Sequence, residues 1–276
     1  MVEAARLAEG FRALGPGEHV CWLVGSSEDY ALGAETFAAQ GKSLDERLLI
    51  VGRHPGGEHT RLGGAVVIDP VADGRLAANG PTAPWDFINR RINRRVGGMD
   101  VGAGRGGTLR VLAQMERLVP PGCGLNDLVE LELGWGQWAA SSGASVVCAY
   151  RQDAWQESIL RDVSCVHSGQ MGNRRLAVSF RMSYVAAGCW RVDGVIDFVA
   201  APAFGTATRA ALTRNGLVRL RFDGLDMIDA AGIQALAHAV RAVRGAKVRV
   251  EGANTTVRRL WQLSGFNTAA VAVEIA

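Results

Sequence analysis

No apolar run in this chain approaches the roughly 20 residues that a helix needs to span a bilayer. No secretory leader is recognisable either: Met1 to Gly15 reads as a short amphipathic helix carrying Glu3, Arg6, Glu9 and Arg12. Cysteine is scarce. The five residues Cys21, Cys123, Cys148, Cys165 and Cys189 are odd in number and form no CxxC pair. That pattern argues against a disulfide framework and for reduced thiols in a cytoplasmic protein. No Ser/His/Asp set and no paired carboxylates stand in a context that suggests catalysis, so no catalytic residue and no cofactor is assigned.

What is present is enough for two cores. The 276 residues are 48% hydrophobic and 21% charged, with 35 glycines. Charge is uneven: residues 174–276 carry a net +7 and residues 1–173 a net −4, which together give the +3 of the whole chain. Opposite signs favour docking of the two halves, or give the C-terminal half an acidic partner; two ordinary solvated surfaces are the plainer alternative.

Strands alternate with helices through the first 170 residues. Gly17 to Gly25 reads as a strand, and Ser26 with Asp29 has capping-box spacing for a helix that runs towards Gln40 and stops at Gly41. Arg47–Val51, Ala65–Ile68, Thr108–Met115 and Ser145–Tyr150 are short apolar strands. Helices are expected at Pro84–Arg95, at Asn126–Ala140 with Leu128, Leu131, Trp135 and Trp138 on one side, and around Trp155–Leu160. This order predicts an α/β fold with a mostly parallel sheet between helices.

After an expected linker at 171–175, Ala177–Tyr184 alternates, Ala187-Gly188 turns, and Cys189–Val195 returns as a hairpin. Gly216–Phe222 is a strand in which Leu and Phe alternate with Arg. Ile233, Leu236, Ala237, Val240 and Val243 then have helical spacing, with Asp229 at the N-cap position. Gly232 keeps the first turn thin, which predicts a surface that exposes backbone there.

Three sets of residues carry the resemblance of the C-terminal part. They are Gly194-Val195-Ile196-Asp197 followed by Ala200–Ala203, the stretch Leu225–Leu236, and Lys247–Val250 with Asn254 and Leu260–Phe266. In this order they resemble the STAS family, the anti-sigma factor antagonist fold. The resemblance implies a mixed sheet with helices on one side over residues 176–276. It also implies a partner-binding surface at Asp226, Met227, Ile228, Asp229, Ala230, Ala231, Gly232 and Gln234. In phosphoregulated members a serine follows the aspartate and a partner kinase phosphorylates it. Here the position is Ala230, and Ala231 has no hydroxyl either.

His19-Val20-Cys21-Trp22, Leu109–Glu116 and Cys148-Ala149-Tyr150 resemble the MEDS sensory domain, related in fold to RecA/KaiC-like ATPases; the likeness spans about residues 10–170 and implies a sensory domain at 1–170. An ATPase of that kind needs a GxxxxGK[ST] loop after its first strand. The loop here is Gly25-Ser26-Ser27-Glu28-Asp29, with two carboxylates and no lysine, so nucleotide chemistry is the remote alternative. Gly102–Gly107 contains GxGxxG but precedes a strand, and reads as a turn.

His19 and Cys21 share one face of their strand, as do Cys148 and Tyr150. If these strands are neighbours, His19, Cys21, Cys148 and His167 converge. Three readings stay open: core packing, a pocket for a small organic molecule with Trp22 or Trp135 as walls, or a soft metal site. No spacing is a recognised metal motif, so no metal is assigned. The resemblance favours the organic ligand, and the pocket candidates are His19, Cys21, Trp22, Glu116, Trp135, Cys148, Tyr150 and His167. Arg90, Arg91, Arg94 and Arg95 make a basic patch, read as a solvated helix face, not a nucleic-acid site. The expectation is a bacterial regulator that binds an anti-sigma factor or similar signalling partner. The competing expectation is a ligand sensor whose second domain only mediates oligomerisation, for instance as a homodimer.

Overall fold

The computed structural model describes residues 2–52, 65–68, 108–119, 122–172, 174–266, 268 and 271–276. The expected helix at Pro84–Arg95, its arginine patch and the Gly102–Gly107 turn lie outside the described residues. The chain divides into two compact units, each with its own sheet: residues 1–124, 134–160 and 169–176 make one, and residues 125–133, 161–168 and 177–276 the other.

In chain order the first part holds α1 (Val2–Arg12), β1 (His19–Val24), α2 (Ser27–Ser43), β2 (Arg47–Val51), β3 (Val66–Ile68), β4 (Leu109–Gln114), α3 (Met115–Leu118), α4 (Leu125–Ser142), β5 (Ser145–Arg151), α5 (Glu157–Ser164) and β6 (Gly169–Met171). The six strands form one sheet in the order β3-β2-β4-β5-β1-β6, and every pairing is parallel. All six residues of β1 are buried, as a sheet covered on both faces requires.

One face of this sheet is covered by α1 and α2. Leu7, Phe11, Tyr30 and Phe37 pack on Trp22, Val24, Ile50, Leu112 and Val147. Phe11 meets Trp22 and Phe37 edge-on, at ring separations of 5.6 and 5.4 Å. Arg110 is buried on the same side. It donates to the Phe11 carbonyl at 2.8 Å and pairs with Glu46 at 2.6 Å, so a cation holds the C-terminal end of α1.

Helix α2 starts where expected: the Ser26 hydroxyl accepts from the Asp29 amide. It does not stop at Gly41. That glycine is buried inside the helix because a Cβ there would stand 2.1 Å from Leu48. The strand expected to reach Met115 ends at Gln114 and turns into α3. Trp155 precedes α5 and is not part of it. Strand β6 takes up the start of the expected linker and pairs with β1.

The second part holds β7 (Phe180–Ala186), β8 (Cys189–Ile196), α6 (Ala201–Asn215), β9 (Leu217–Ile228), α7 (Ala230–Ala242), β10 (Lys247–Glu251), α8 (Thr255–Leu263) and β11 (Val273–Ile275). Its sheet runs β11-β10-β9-β8-β7 and is mixed: β7 and β8 form the expected antiparallel hairpin, and the other pairs are parallel. Helices α6 and α7 pack closely, with Gly205 against Ala235. The Asn254 side chain caps α8 by accepting from the Val257 amide at 3.0 Å.

Strand β9 is longer than its alternation suggests. Val218, Leu220 and Phe222 are buried at a spacing of two, but the next buried apolar residues are Leu225 and Ile228. The register with β8 slips twice over this stretch. Each slip inserts a residue on β9, breaks the period and conceals the continuing strand.

Gly33 offers a test of the first core. A methyl group there would stand 2.0 Å from the Trp22 ring. Alanine gains about 1 kcal/mol of helix propensity, but overpacking against a fixed ring costs about 1–3 kcal/mol. Gly33→Ala is therefore expected to lower the urea midpoint, despite alanine's helix preference.

Candidate functional site

Two places bring functional side chains together. The first is the sheet face opposite α1 and α2. Cys21 lies beside Cys148 in the parallel register of β1 and β5. His19 precedes Cys21 by one pleat, so all three point to the same face. Nε2 of His19 stands 3.3 Å from Sγ of Cys148. Gly136 of α4 passes directly over the ring; a Cβ there would lie 3.2 Å from Nδ1 of His19. His167 is buried, with Nδ1 2.8 Å from the Val163 carbonyl and Nε2 3.1 Å from Oε2 of Glu132.

Of the residues grouped by the sequence, His19 and Cys148 meet on this face, while His167 pairs with Glu132, a residue that sequence reasoning missed. The signal was a carboxylate inside an apolar helical stripe, one turn from Leu128 and from Gly136. It is fully buried.

Other candidates are placed elsewhere. Trp22 is one residue from Cys21 and so points through the sheet to the Phe11 core, which removes it as a wall of this site. Trp135 is buried and meets Trp138 edge-on at 5.7 Å. Tyr150 is buried against Trp155 at 5.4 Å. Glu116 accepts from the Arg151 amide and from the Trp155 indole, the latter at 2.9 Å, so it ties the end of β5 to α3.

Glu116 also lines a separate cavity of about 570 Å³ with Ser27, Glu28, Tyr30, Gln114, Arg117 and Arg151. These residues follow the C-terminal ends of β1, β4 and β5, where open parallel sheets place ligands. The Tyr30 hydroxyl is buried here without a hydrogen-bond partner among the described residues. Burial, reinforced by the charge of Glu116, pushes its pKa up, so it stays protonated as a donor.

The second place is the start of α7. The Asp229 carboxylate accepts from the Gly232 amide at 2.9 Å and caps the helix. Asp226, Met227, Ala230 and Gln234 are exposed, and Asp229 and Ala231 are half-buried. Two expected contact residues are not on the surface. Ile228 is 2% exposed, and Gly232 is buried because a Cβ there would stand 2.6 Å from Ile228 and 2.7 Å from Ile196. Gly232 permits close packing of helix on sheet; it does not present backbone outward. Asp226, Met227 and Ile228 belong to the end of β9, not to a loop.

Beside this corner lies an open groove of about 480 Å³ between α6 and α7, lined by Phe198, Pro202, Arg209, Ala231, Gln234 and His238. Phe198 is 73% exposed, and the neighbouring Val199 57%.

Comparison with known families finds two domains in succession. The profile of MEDS, the MEthanogen/methylotroph, DcmR Sensory domain, matches residues 18–168, more than half of the chain. The chain belongs to the MEDS family. A STAS domain follows, matched over residues 183–270. Among solved structures, the anti-sigma factor antagonist SpoIIAA in its unphosphorylated form matches at 14% identity with a TM-score of 0.27, over 35% of this chain and 86% of that one. No curated protein matches the chain. No helix among the described residues is long and apolar enough to cross a membrane.

Two measurements follow from these geometries. Asp229→Ala removes the cap and should destabilise the STAS domain by about 1 kcal/mol in urea unfolding. Burial, with the charge of Asp162 adding to it, pushes the Cys165 thiol up to about 12. Iodoacetamide at pH 8 should therefore leave Cys165 unmodified in the native protein while the partly exposed Cys123 reacts, as peptide mass mapping will show.

Proposed function

We propose that this protein is a cytoplasmic signalling regulator that binds a partner, in the manner of an anti-sigma factor antagonist, through the α7 corner of its STAS domain. The observation that carries the reading is the exposed apolar surface at that corner. Met227 and Ala230 are exposed at the β9–α7 junction, and the adjoining groove runs from Phe198 to Gln234. Contiguous exposed apolar surface rimmed by polar groups is what a protein partner covers. Met227, Ala230 and Phe198 supply apolar contact, Asp229 fixes the helix start, and Gln234 offers hydrogen bonds.

A phosphate at this helix start would meet free amides and the positive end of the helix dipole. Neither Ala230 nor Ala231 has the hydroxyl to carry one. The binding corner is therefore held permanently competent at this position, and control falls to the MEDS domain through a small organic ligand. The cavity beside Glu116, with the Tyr30 hydroxyl lacking a protein partner, supports that assignment better than the His19–Cys148 face does. Its walls carry Glu28 and Glu116 where a nucleotide site would place a lysine, which favours a small polar organic molecule over a nucleoside triphosphate. The chain acts by binding, not by catalysis.

The test is affinity capture from the native cell with the full chain and with Ala230→Glu. Placing a charge at the contact should abolish recovery of a sigma-regulating partner while circular dichroism stays unchanged. Equal recovery by both proteins would move the binding surface elsewhere. Ligand-dependent self-association without a captured partner would favour the assembly role.

A further inference from the structure

We propose that the cavity beside Glu116 binds a neutral polyhydroxylated molecule, a polyol or a monosaccharide, with one hydroxyl held between Tyr30 and Glu116. The inference rests on the assignment of the MEDS domain's small organic ligand to that cavity and narrows its chemistry. All the lining residues belong to one compact unit of the chain.

Core packing builds the donor. The Tyr30 ring belongs to the core that α1 and α2 make with the sheet. It is stacked on Trp22 at a ring separation of 6.0 Å, and the residue is 4% exposed. The ring is therefore locked, and its hydroxyl is held at the cavity wall with no hydrogen-bond partner among the described residues. Native packing seldom leaves a buried hydroxyl unpaired, and a ligand that pairs it accounts for this one.

The acceptor is built separately. Glu116 accepts from the Arg151 amide and the Trp155 indole, and both bonds fall on Oε1. They fix the carboxylate and leave Oε2 without a donor among the described residues.

A fixed donor and a fixed acceptor select the ligand group. Burial and the nearby charge of Glu116 both oppose ionisation of Tyr30, so the hydroxyl keeps its proton. An ammonium ion has no lone pair and would leave that proton unpaired. A carboxylate accepts it, but has nothing to donate to Oε2 and meets Glu116 with like charge. A hydroxyl accepts from Tyr30 and donates to Glu116 at once.

The rest of the lining disfavours net charge and leaves room for several hydroxyls. Glu28 and Glu116 oppose Arg117 and Arg151, so a charged ligand loses against one pair what it gains from the other. Arg151 is also unsuited to clamp a carboxylate in the bidentate manner. Its Nε pairs with Asp153 at 2.9 Å and its Nη1 donates to Ser27 at 2.5 Å. Nη2 of Arg151 and the exposed Glu28 carboxylate remain to meet further hydroxyls, and Ala31 gives the carbon skeleton an apolar wall. The volume of about 570 Å³ is that of a small-molecule site and exceeds what a single hydroxyl group fills.

The test titrates the full chain calorimetrically with xylitol and with D-glucose, and in parallel with acetate, methylammonium and glycine. Xylitol or glucose should bind saturably, and the charged and zwitterionic probes should not. Tyr30→Phe should weaken that binding about tenfold or more, the loss of one buried hydrogen bond. Its urea midpoint should stay equal or rise, because the variant keeps the ring and removes an unpaired hydroxyl. Ala31→Leu fills the cavity and should abolish binding. Saturable binding of acetate, methylammonium or glycine alone, lost in Ala31→Leu, overturns the polyol class and leaves the cavity as the ligand site. Polyol binding that both variants leave intact, or binding of no probe, overturns the polyol class and the cavity assignment together.

Discussion

The two-residue period of β1 is the constraint on which the first domain depends. Val20, Trp22 and Val24 point to one face and join the core under α1 and α2. His19 and Cys21 point to the other. The parallel register with β5 then fixes which thiol His19 meets: Cys21 is level with Cys148, and His19 reaches it diagonally. A slip of one residue would exchange the faces. It would put Trp22 against α4, where Gly136 leaves room for an imidazole and not for an indole. Apolar packing on one face thereby positions polar chemistry on the other.

Much of this was legible because alternation and strand–helix order are local. The parallel strands, the Ser26 and Asp229 caps and the β7–β8 hairpin needed only neighbouring residues. The sharing of a face by His19 and Cys148 needed one further assumption, that their strands are adjacent. What stayed hidden was non-local. Glu132 looks like an ordinary helical carboxylate until His167 is brought against it. Glycines mislead in the same way. Gly41 and Gly232 read as a stop and as a thin exposed turn, whereas each is a contact where another element leaves no space for a Cβ. Strand β9 escaped because its two register slips erase the period that marks a strand.

The STAS corner shows how the same residues divide between holding and presenting. The strand end gives Ile228 to the core and Met227 to the surface. The helix start gives Gly232 and Ile233 to the core, and Ala230 and Gln234 to the surface. Asp229 is engaged with its own helix, so its charge is spent on the cap. The surface that remains is small and mostly apolar. An apolar contact of this kind tolerates neighbouring alanines but not a buried charge, because an unpaired ion taken out of water costs several kcal/mol.

The MEDS domain also keeps a polar place that its packing does not use. The cavity at the strand ends is open and mixed in charge, and it offers a hydroxyl donor that no group among the described residues engages. Exchange with solvent is possible there. The cavity is lined from the C-terminal ends of β1, β4 and β5, and strands buried on both faces give a ligand a defined shape to read.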